Sequence, residues 1–271
     1  MHIKHCRKIV VAFAVCISAP PALADNQGFS LGIGYNYSSG DYGTATTTNT
    51  TSIPVTGSYE TGPWTLKLTV PYLTISGDSS VVPGVGVVRN SNPRGRGKSA
   101  GAPATTTTTG SASGMGDVVM AATYGAYYDN TSKIGIDLTG KVKFGTADRD
   151  KGLGTGENDY SMQLDLYKGL DKFGLFGGIG YSVLGSSDYV QLDNVYNVTA
   201  GVTYKFAERT TAGVSFDARE RVSSTAFPMR EISAFVSHKY DKNWKAQAYV
   251  LKGLADGSPD WGLGLSAAYA F

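Results

Sequence analysis

Apolar and polar side chains alternate through residues 118–144, and this two-residue period limits the fold more than any other feature of the chain. In the second half of the segment the apolar phase holds Ile134, Ile136, Leu138, Val142 and Phe144, and the other phase holds Asp137, Thr139, Lys141 and Lys143. Successive side chains of a strand point to opposite faces, so the segment is predicted to be a β-hairpin, turning at residues 129–132. Its apolar face would meet either a protein core or, in an outer-membrane barrel, lipid.

The N-terminal residues indicate which of these surroundings applies. Lys4, Arg7 and Lys8 precede an apolar run over residues 9–17, and the small residues Ala22 and Ala24 follow. This order is typical of a secretory signal peptide, predicted over residues 1–24 and implying Sec-type export, and the run is too short to span a bilayer. Both cysteines, Cys6 and Cys16, fall inside the predicted signal peptide. A disulfide-stapled domain and a cysteine-ligated metal are therefore excluded for the mature chain.

The alternation recurs in twelve segments between residues 29 and 271, joined by connections that are alternately long and short. An even number of strands with short periplasmic turns and longer external loops is the pattern of single-chain outer-membrane barrels. The prediction is thus an all-β protein, a 12-stranded antiparallel up-and-down transmembrane β-barrel over residues 25–271. The longest external loop is predicted over residues 77–113.

Aromatic residues of the apolar phase sort into two groups. One group lies beside the long loops and comprises Tyr37, Tyr72, Phe144, Tyr160, Tyr181 and Tyr196. The other lies beside the short turns or the terminus and comprises Tyr59, Trp64, Tyr128, Phe173, Tyr204, Tyr240, Trp244 and Phe271. Two such belts are expected at the two water–lipid boundaries of a membrane barrel. Phe271, two residues after Tyr269, also looks like the terminal strand signal that outer-membrane assembly machinery recognises.

Charged residues of the polar phase are predicted to line the lumen, because Lys or Arg facing lipid at mid-depth would cost about 2–4 kcal/mol each. The cations are Lys67, Lys141, Lys143, Lys205, Arg219, Arg221, Lys239 and Lys245. The anions are Glu60, Asp117, Asp137, Asp159, Asp165, Asp217 and Glu231. Two interpretations stay open: cross-strand ion pairs that fill a narrow barrel, or a set that partly lines a solute path. Because the two signs are nearly balanced, they do not select ion type strongly.

The long loop supplies four further cations, Arg89, Arg94, Arg96 and Lys98, and these are the candidate constriction residues. Whether this loop plugs the pore or lies outside it is left open by the sequence. The mature chain has 21 basic and 22 acidic residues once Lys4, Arg7 and Lys8 are removed, which gives no bias toward nucleic acid.

Catalytic, cofactor and metal sites are not predicted. Gly97-Lys98-Ser99 lacks the leading glycine of a phosphate-binding loop, because position 92 is Asn92. The acidic cluster of residues 148–159 lacks the glycine spacing of an EF-hand and is better explained as a solvated rim. His238, the one histidine after residue 24, lies at the periplasmic end. That is the wrong end for a Ser–His hydrolase acting on the outer leaflet, so an enzyme is not expected.

Several segments together resemble the outer-membrane family named "Putative MetA-pathway of phenol degradation". They are residues 114–117, 143–146 and 152–160, with residues 60–64, 70–72 and 257–271. The resemblance implies a barrel that passes small, often aromatic or apolar, solutes, with no binding residues to carry over. The expected function is a passive channel-type transporter, and the alternative is a non-conducting structural or adhesive barrel that acts through its external loops. Expected partners are outer-membrane lipid, the assembly machinery through Phe271 and a small-molecule solute.

Overall fold

The computed structural model describes residues 28–98 and 108–271. The predicted signal peptide, residues 1–24, lies outside these ranges. Within them, no helix is long and apolar enough to cross a bilayer.

Fifteen strands make up the described part of the chain. Their bounds are β1 Gly28–Gly40, β2 Thr48–Thr61, β3 Trp64–Asp78, β4 Val81–Val82, β5 Gly86–Val87, β6 Thr109–Met115, β7 Val118–Asp129, β8 Ile134–Phe144, β9 Asp159–Leu170, β10 Phe173–Val183, β11 Val195–Ala207, β12 Thr210–Arg219, β13 Met229–Lys239, β14 Trp244–Gly253 and β15 Trp261–Ala270. Strands β4 and β5 form a separate short hairpin. Strands β6 and β7 follow one another along β3 and act as one wall strand.

Antiparallel pairing closes the sheet on itself. Each wall strand pairs with its neighbours in the chain, and β15 returns to pair with β1, from Ser30 opposite Ala270 to Ser39 opposite Trp261. The result is a closed barrel of twelve strands, which confirms the predicted fold class. A closed barrel satisfies every ladder hydrogen bond without leaving a strand edge, which is the requirement for β-structure in lipid.

The outer surface carries the apolar phase. Leu31, Ile33, Leu164, Leu166 and Ile179 are each between 44% and 56% exposed, as a lipid-facing wall requires. The two aromatic belts are present as ring pairs. Tyr37 contacts Trp261 and Tyr181 contacts Tyr196 near the long loops. Trp64–Tyr124, Phe173–Tyr204 and Trp244–Tyr269 lie near the short turns.

Tyr128 is the exception to the predicted belts. The register of β7 against β8 shifts between Gly125 and Tyr127, a bulge that reverses the facing of the residues after it. Tyr127 is therefore the exposed residue, at 51%. Tyr128 stacks on Tyr167, an inward residue that is only 5% exposed, with ring centroids 6.3 Å apart.

Connections alternate between long and short, as expected, but the longest loop is shorter than residues 77–113. Strand β3 continues to Asp78 and pairs with β6, with Gly77 opposite Gly110 and Tyr72 opposite Met115. This hairpin extends beyond the outer end of β8, because Phe144, the last residue of β8, pairs with Val118 of β7. Thr and Gly residues that the sequence places in a loop are thus part of a strand pair.

Inward aromatic rings lie flat against the barrel wall, each over a glycine of the next strand. A Cβ built on Gly201 would lie 2.2 Å from Cζ of Phe176, and one on Gly135 would lie 2.0 Å from Cζ of Tyr167. Phe235 covers Gly213 and Tyr249 covers Gly264 in the same way. These rings therefore occupy the wall rather than the centre of the lumen.

Gly201→Ala is expected to destabilise the barrel by about 1–3 kcal/mol, because the new methyl group overpacks a closed site. It would meet the carbonyl of Val214 at 2.6 Å as well as the Phe176 ring. Gly140→Ala is the matched control, since nothing lies within 4 Å of a Cβ at that position. Urea titration of both variants in lipid vesicles measures the difference, and equal midpoints would contradict the packing described.

Candidate channel lumen and its outer lid

An ion-pair network lies at the outer end of the lumen, where the inward phases of β7, β8 and β9 meet. Nζ of Lys143 lies 2.7 Å from Oδ2 of Asp159 and 3.3 Å from Oδ2 of Asp117. Lys141 is two residues closer to the middle of the same strand, on the same face. These pairs join neighbouring segments of the wall.

Three further predicted lumen residues lie at the outer end of β12 and β13. Asp217 accepts a hydrogen bond from Oγ1 of Thr199 at 2.7 Å and lies opposite Glu231 in the register. Both carboxylates are buried, and Arg219 follows Asp217 on the same inward face. Arg219 is close enough to Glu231 to interact with it electrostatically, which offsets part of the repulsion between the two carboxylates.

Asp137 and Asp165 occupy the wall formed by β8 and β9. They are direct register partners, and they are 0% and 5% exposed. Oδ1 of Asp165 accepts a 2.7 Å hydrogen bond from Nε2 of Gln163. Both carboxylates are thus buried at the wall, and their lining of a lumen stays a prediction.

The remaining predicted lumen residues gather at the periplasmic end. Glu60 is the penultimate residue of β2, and Lys67 lies near the start of β3. Lys205, Lys239 and Lys245 lie at the periplasmic ends of β11, β13 and β14. Arg221 is a correction to the prediction. It lies two residues beyond the end of β12, in loop 220–228, and its side chain is exposed, because the alternation that places side chains inward ends with the strand.

Residues 79–98 lie across the outer mouth, and we call this segment the outer lid. It leaves the wall at β3, and its β4–β5 hairpin reaches β12, six positions away in the twelve-strand ring. There Nη1 of Arg219 donates to the carbonyl of Gly84 at 2.8 Å, and Nη2 donates to that of Val85 at 2.6 Å. The lid therefore spans the full width of the mouth.

Two apolar clusters hold the outer lid to the surrounding loops. The first joins three lid valines to loops 184–194 and 220–228 and comprises Val82, Val85, Val88, Val190, Val195, Val222 and Ala226. The second joins the lid to β3 and to loops 41–47 and 145–158 and comprises Tyr42, Leu73, Ile75, Val81, Ala147 and Leu153. Burial of this kind stabilises a loop by about 1.5–3 kcal/mol for each large apolar side chain. It also raises the pKa of Tyr42 to about 12 by desolvation.

The four candidate constriction cations lie within the outer lid, and Arg94, Arg96 and Lys98 contact its backbone or the neighbouring loop. Arg96 is 4% exposed, and its guanidinium donates to the carbonyls of Gly152, Val81 and Asp78. Desolvation by burial lowers its pKa to about 10. Nζ of Lys98 donates to the carbonyl of Asn90 at 2.7 Å, and burial lowers its pKa as well. Arg94 forms an exposed 3.6 Å ion pair with Asp150, and Arg89 is exposed.

Arg96→Met is expected to loosen the outer lid while leaving the barrel intact. The substitution removes the donors to three carbonyls, and each unsatisfied buried group costs about 1–3 kcal/mol. Amide hydrogen exchange in residues 79–98 is expected to accelerate by roughly 10- to 100-fold, because local opening becomes cheaper. Arg94→Met is the control, since an exposed ion pair contributes at most about 1 kcal/mol. Unchanged exchange in Arg96→Met would contradict the clamping role.

The contacts of the lid hairpin with Arg219 were not predicted from the sequence. One signal was available, since the apolar run from Val81 to Val88 stands out within an otherwise polar loop. Nothing in that run specifies that backbone carbonyls of the hairpin tip would face an arginine more than 130 residues away. Sequence periodicity reports which way a side chain faces, not which distant group it meets.

A closed twelve-stranded barrel with a lipid-facing outer surface and a charged, polar inner surface defines an outer-membrane β-barrel protein. Solved structures with this fold include an outer membrane channel from Pseudomonas putida F1, with 14% identity, a TM-score of 0.62, and coverage of 92% of this chain and 97% of that one. The KdgM porin is also similar, with 14% identity, a TM-score of 0.52, and coverage of 89% and 99%. The translocator domain of NalP from Neisseria meningitidis has 10% identity, a TM-score of 0.52, and coverage of 91% and 90%.

The family model described as "Putative MetA-pathway of phenol degradation" matches residues 76–271. The chain belongs to this family, which confirms the resemblance carried by residues 114–117, 143–146 and 152–160. No curated protein sequence matches the chain.

Proposed function

We propose that this protein is a passive outer-membrane channel for small solutes, with the outer lid as its gate. The observation that carries the proposal is the lid itself, a folded hairpin that crosses one mouth of a closed barrel with a polar inner wall. Apolar side chains and arginine contacts hold the lid to the mouth, so it can open while the barrel sheet stays intact, whereas wall side chains cannot leave the lumen without breaking the sheet.

The width of the barrel supports a solute path. Eight-stranded barrels are filled by their side chains and barrels of sixteen or more strands contain water-filled channels, so twelve strands give an intermediate lumen. The flat packing of Tyr167, Phe176, Phe235 and Tyr249 over glycines keeps four large rings against the wall. The space at the centre is therefore larger than the number of inward aromatic residues suggests.

The similar structures support the same proposal through their names. The Pseudomonas putida F1 protein is described as an outer membrane channel, and KdgM is described as a porin. We infer from them that a channel role is compatible with this fold, and we extend it to small solutes, among them aromatic or apolar ones, as the family name suggests.

The two other functions considered from the sequence have less support. A non-conducting barrel requires ion pairs that block the lumen, whereas the pairs of Lys143 with Asp117 and Asp159 run along the wall. For an enzyme, Nδ1 of His238 lies 2.9 Å from Oγ1 of Thr210, and its ring packs edge-on against Tyr240 in the periplasmic belt. This places the histidine outside the lumen, so we propose no catalytic role for it.

Swelling of protein-loaded liposomes tests the channel function. Vesicles that contain the folded protein are expected to swell in solutions of small neutral solutes, faster for arabinose than for a trisaccharide, because passage is limited by size. Empty vesicles and vesicles with heat-denatured protein are the controls. If neither the native protein nor a variant with a shortened lid hairpin permits swelling or conducts ions in planar bilayers, the proposed function is wrong.

A further inference from the structure

A groove lies on the lipid-facing surface of the barrel, in its periplasmic half, across strands β13, β14, β15 and β1. Its volume is about 610 Å³, within the range of about 300–1,000 Å³ that small-ligand sites occupy. Three alanines form its floor: Ala246 and Ala267 are register partners, and Ala248 is two residues farther along β14. The surface is lower there because small side chains lie next to one another on adjacent strands.

Larger side chains border this floor on both sides. One side is formed by Val236 and His238 of β13 and by Tyr240, and the other by Ile33 and Tyr35 of β1. The ring of His238 packs edge-on against that of Tyr240, with centroids 4.8 Å apart, which fixes the first side. The groove is thus a preformed cleft with a flat floor.

Hydrocarbon surrounds this part of the wall, so an apolar chain must fill the groove. An empty cleft would leave its lining atoms without partners and lose their dispersion contacts. A second copy of the chain is a poor occupant, because a two-fold contact brings two identical concave surfaces together and leaves a void. A lipid acyl chain is narrow and flexible enough to enter. Because bulk lipid is as apolar as the groove, selection among lipids depends on packing and on the headgroup.

Charged side chains of both signs lie at the periplasmic rim of the groove. Nη1 of Arg209 donates to the carbonyl of Tyr240 at 2.8 Å, which places the guanidinium beside a residue that lines the groove. Lys242 is exposed two residues after Tyr240, and Asp241 accepts two backbone amides through one of its carboxylate oxygens. Glu208, next to Arg209, is exposed as well. Two positive and two negative charges suit a headgroup that carries both a phosphate and an ammonium.

We propose that this groove binds one zwitterionic glycerophospholipid of the periplasmic leaflet, with an acyl chain over the three alanines and the headgroup on the charged rim. The phosphate accepts hydrogen bonds from Arg209, which has four further N–H donors, and from the ammonium of Lys242. The headgroup ammonium lies beside Glu208 and Asp241. The acyl chain crosses β14, β15 and β1, so it covers the seam at which the barrel closes. The inference rests on the lipid-facing outer surface and not on the channel function.

Native mass spectrometry of the detergent-solubilised protein tests the site. Dioleoylphosphatidylethanolamine is expected to bind at one molecule per chain, roughly tenfold more tightly than dioleoylphosphatidylglycerol, which lacks the ammonium. The double variant A246L/A267L is expected to weaken this binding by roughly tenfold or more, because the leucines fill the floor of the groove. Ala200→Leu is the matched control, since Ala200 is an exposed residue of β11 outside the groove.

A second variant, R209Q/K242Q, tests the headgroup contacts separately. It is expected to weaken binding of the phosphatidylethanolamine by roughly three- to tenfold, because two charged partners of the phosphate are removed. Lys172→Gln is its control, since Lys172 is exposed in the turn between β9 and β10. Heat-modifiable migration in gels verifies that each variant folds. If A246L/A267L does not fold, Ala248→Leu fills the groove from the next row of its floor.

The possible outcomes separate the occupants. Absence of bound lipid, equal binding of the two lipids, or native binding by a folded groove or rim variant overturns the proposal. A native dimer that A246L/A267L dissociates also overturns it, because the groove then holds a second copy of the chain. Lipid binding is measured without any conductance, so failure of this site leaves the channel function in place.

Discussion

Leu138→Arg is expected to lower the free energy of unfolding in lipid by about 2–4 kcal/mol, the cost of a guanidinium at the middle of a membrane barrel. Leu138 lies near the centre of β8, is 44% exposed, and has Tyr124 and Leu164 as its register partners on the same outer face. The charge cannot reach the lumen from this position, because its neighbours in the sequence, Asp137 and Thr139, hold the inward positions. A change of this size reduces the equilibrium constant for folding by about 30- to 1,000-fold.

Urea titration of refolding into lipid vesicles, followed by tryptophan fluorescence, measures this loss. Leu138→Ala is the control, since it removes apolar area without adding charge and is expected to cost far less. If Leu138→Arg retained the stability of the Leu138→Ala variant, the outer face of β8 would not be in contact with lipid. The orientation of the entire barrel would then have to be revised.

Replacing residues 82–87 with two glycines is expected to increase single-channel conductance on the order of tenfold, because a twelve-stranded lumen is wide enough to conduct once its outer mouth is cleared. The two ends of the deletion can be joined by a short turn, since the amide of Val88 already donates to the carbonyl of Ser80 at 2.9 Å. Val81 stays in place and continues to accept a hydrogen bond from Arg96. The variant loses Val82 and Val85 from their apolar cluster and both carbonyls that bind Arg219.

Arg89→Ala is the control for the shortened hairpin, since this exposed residue belongs to the same loop but lies outside the hairpin. It is expected to conduct like the native protein. Planar bilayer recordings of both variants give the comparison, with liposome swelling as a second readout. Equal conductance of the native and shortened proteins would show that the constriction lies elsewhere in the lumen.

Much of this fold could be predicted from the sequence, because lipid on one side and polar groups on the other impose a strict two-residue period. The alternation in residues 134–144 identifies the outward and inward faces of β8, and the same reasoning places Lys143 and Asp159 inside. The long and short connections then fix the direction of each strand. These features depend on residues that are close in the sequence, so they can be recognised without knowing which distant residues come into contact.

The features that could not be predicted depend on contacts between distant parts of the chain. The bulge after Gly125 reverses the facing of Tyr128, and no residue type in that segment predicts the bulge. Arg96 resembles any loop cation in sequence, yet it is buried against carbonyls that folding brings to it. Charge counting gave a balanced lumen, whereas the concentration of lysines at one end depends on the depth that each strand register assigns.

Strand β15 is the last to be made and the one that joins the two ends of the sheet. Its partner β1 is separated from it by almost the whole chain, and the backbone amide of Phe271 donates to the carbonyl of Phe29 at 3.0 Å where the two ends meet. Until that seam forms, β1 and β14 both present unpaired amides and carbonyls, which hydrocarbon does not tolerate. Insertion into the bilayer is therefore expected to be all-or-none. A barrel that is only partly paired is expected to stay in water or bound to a chaperone until β15 pairs with β1.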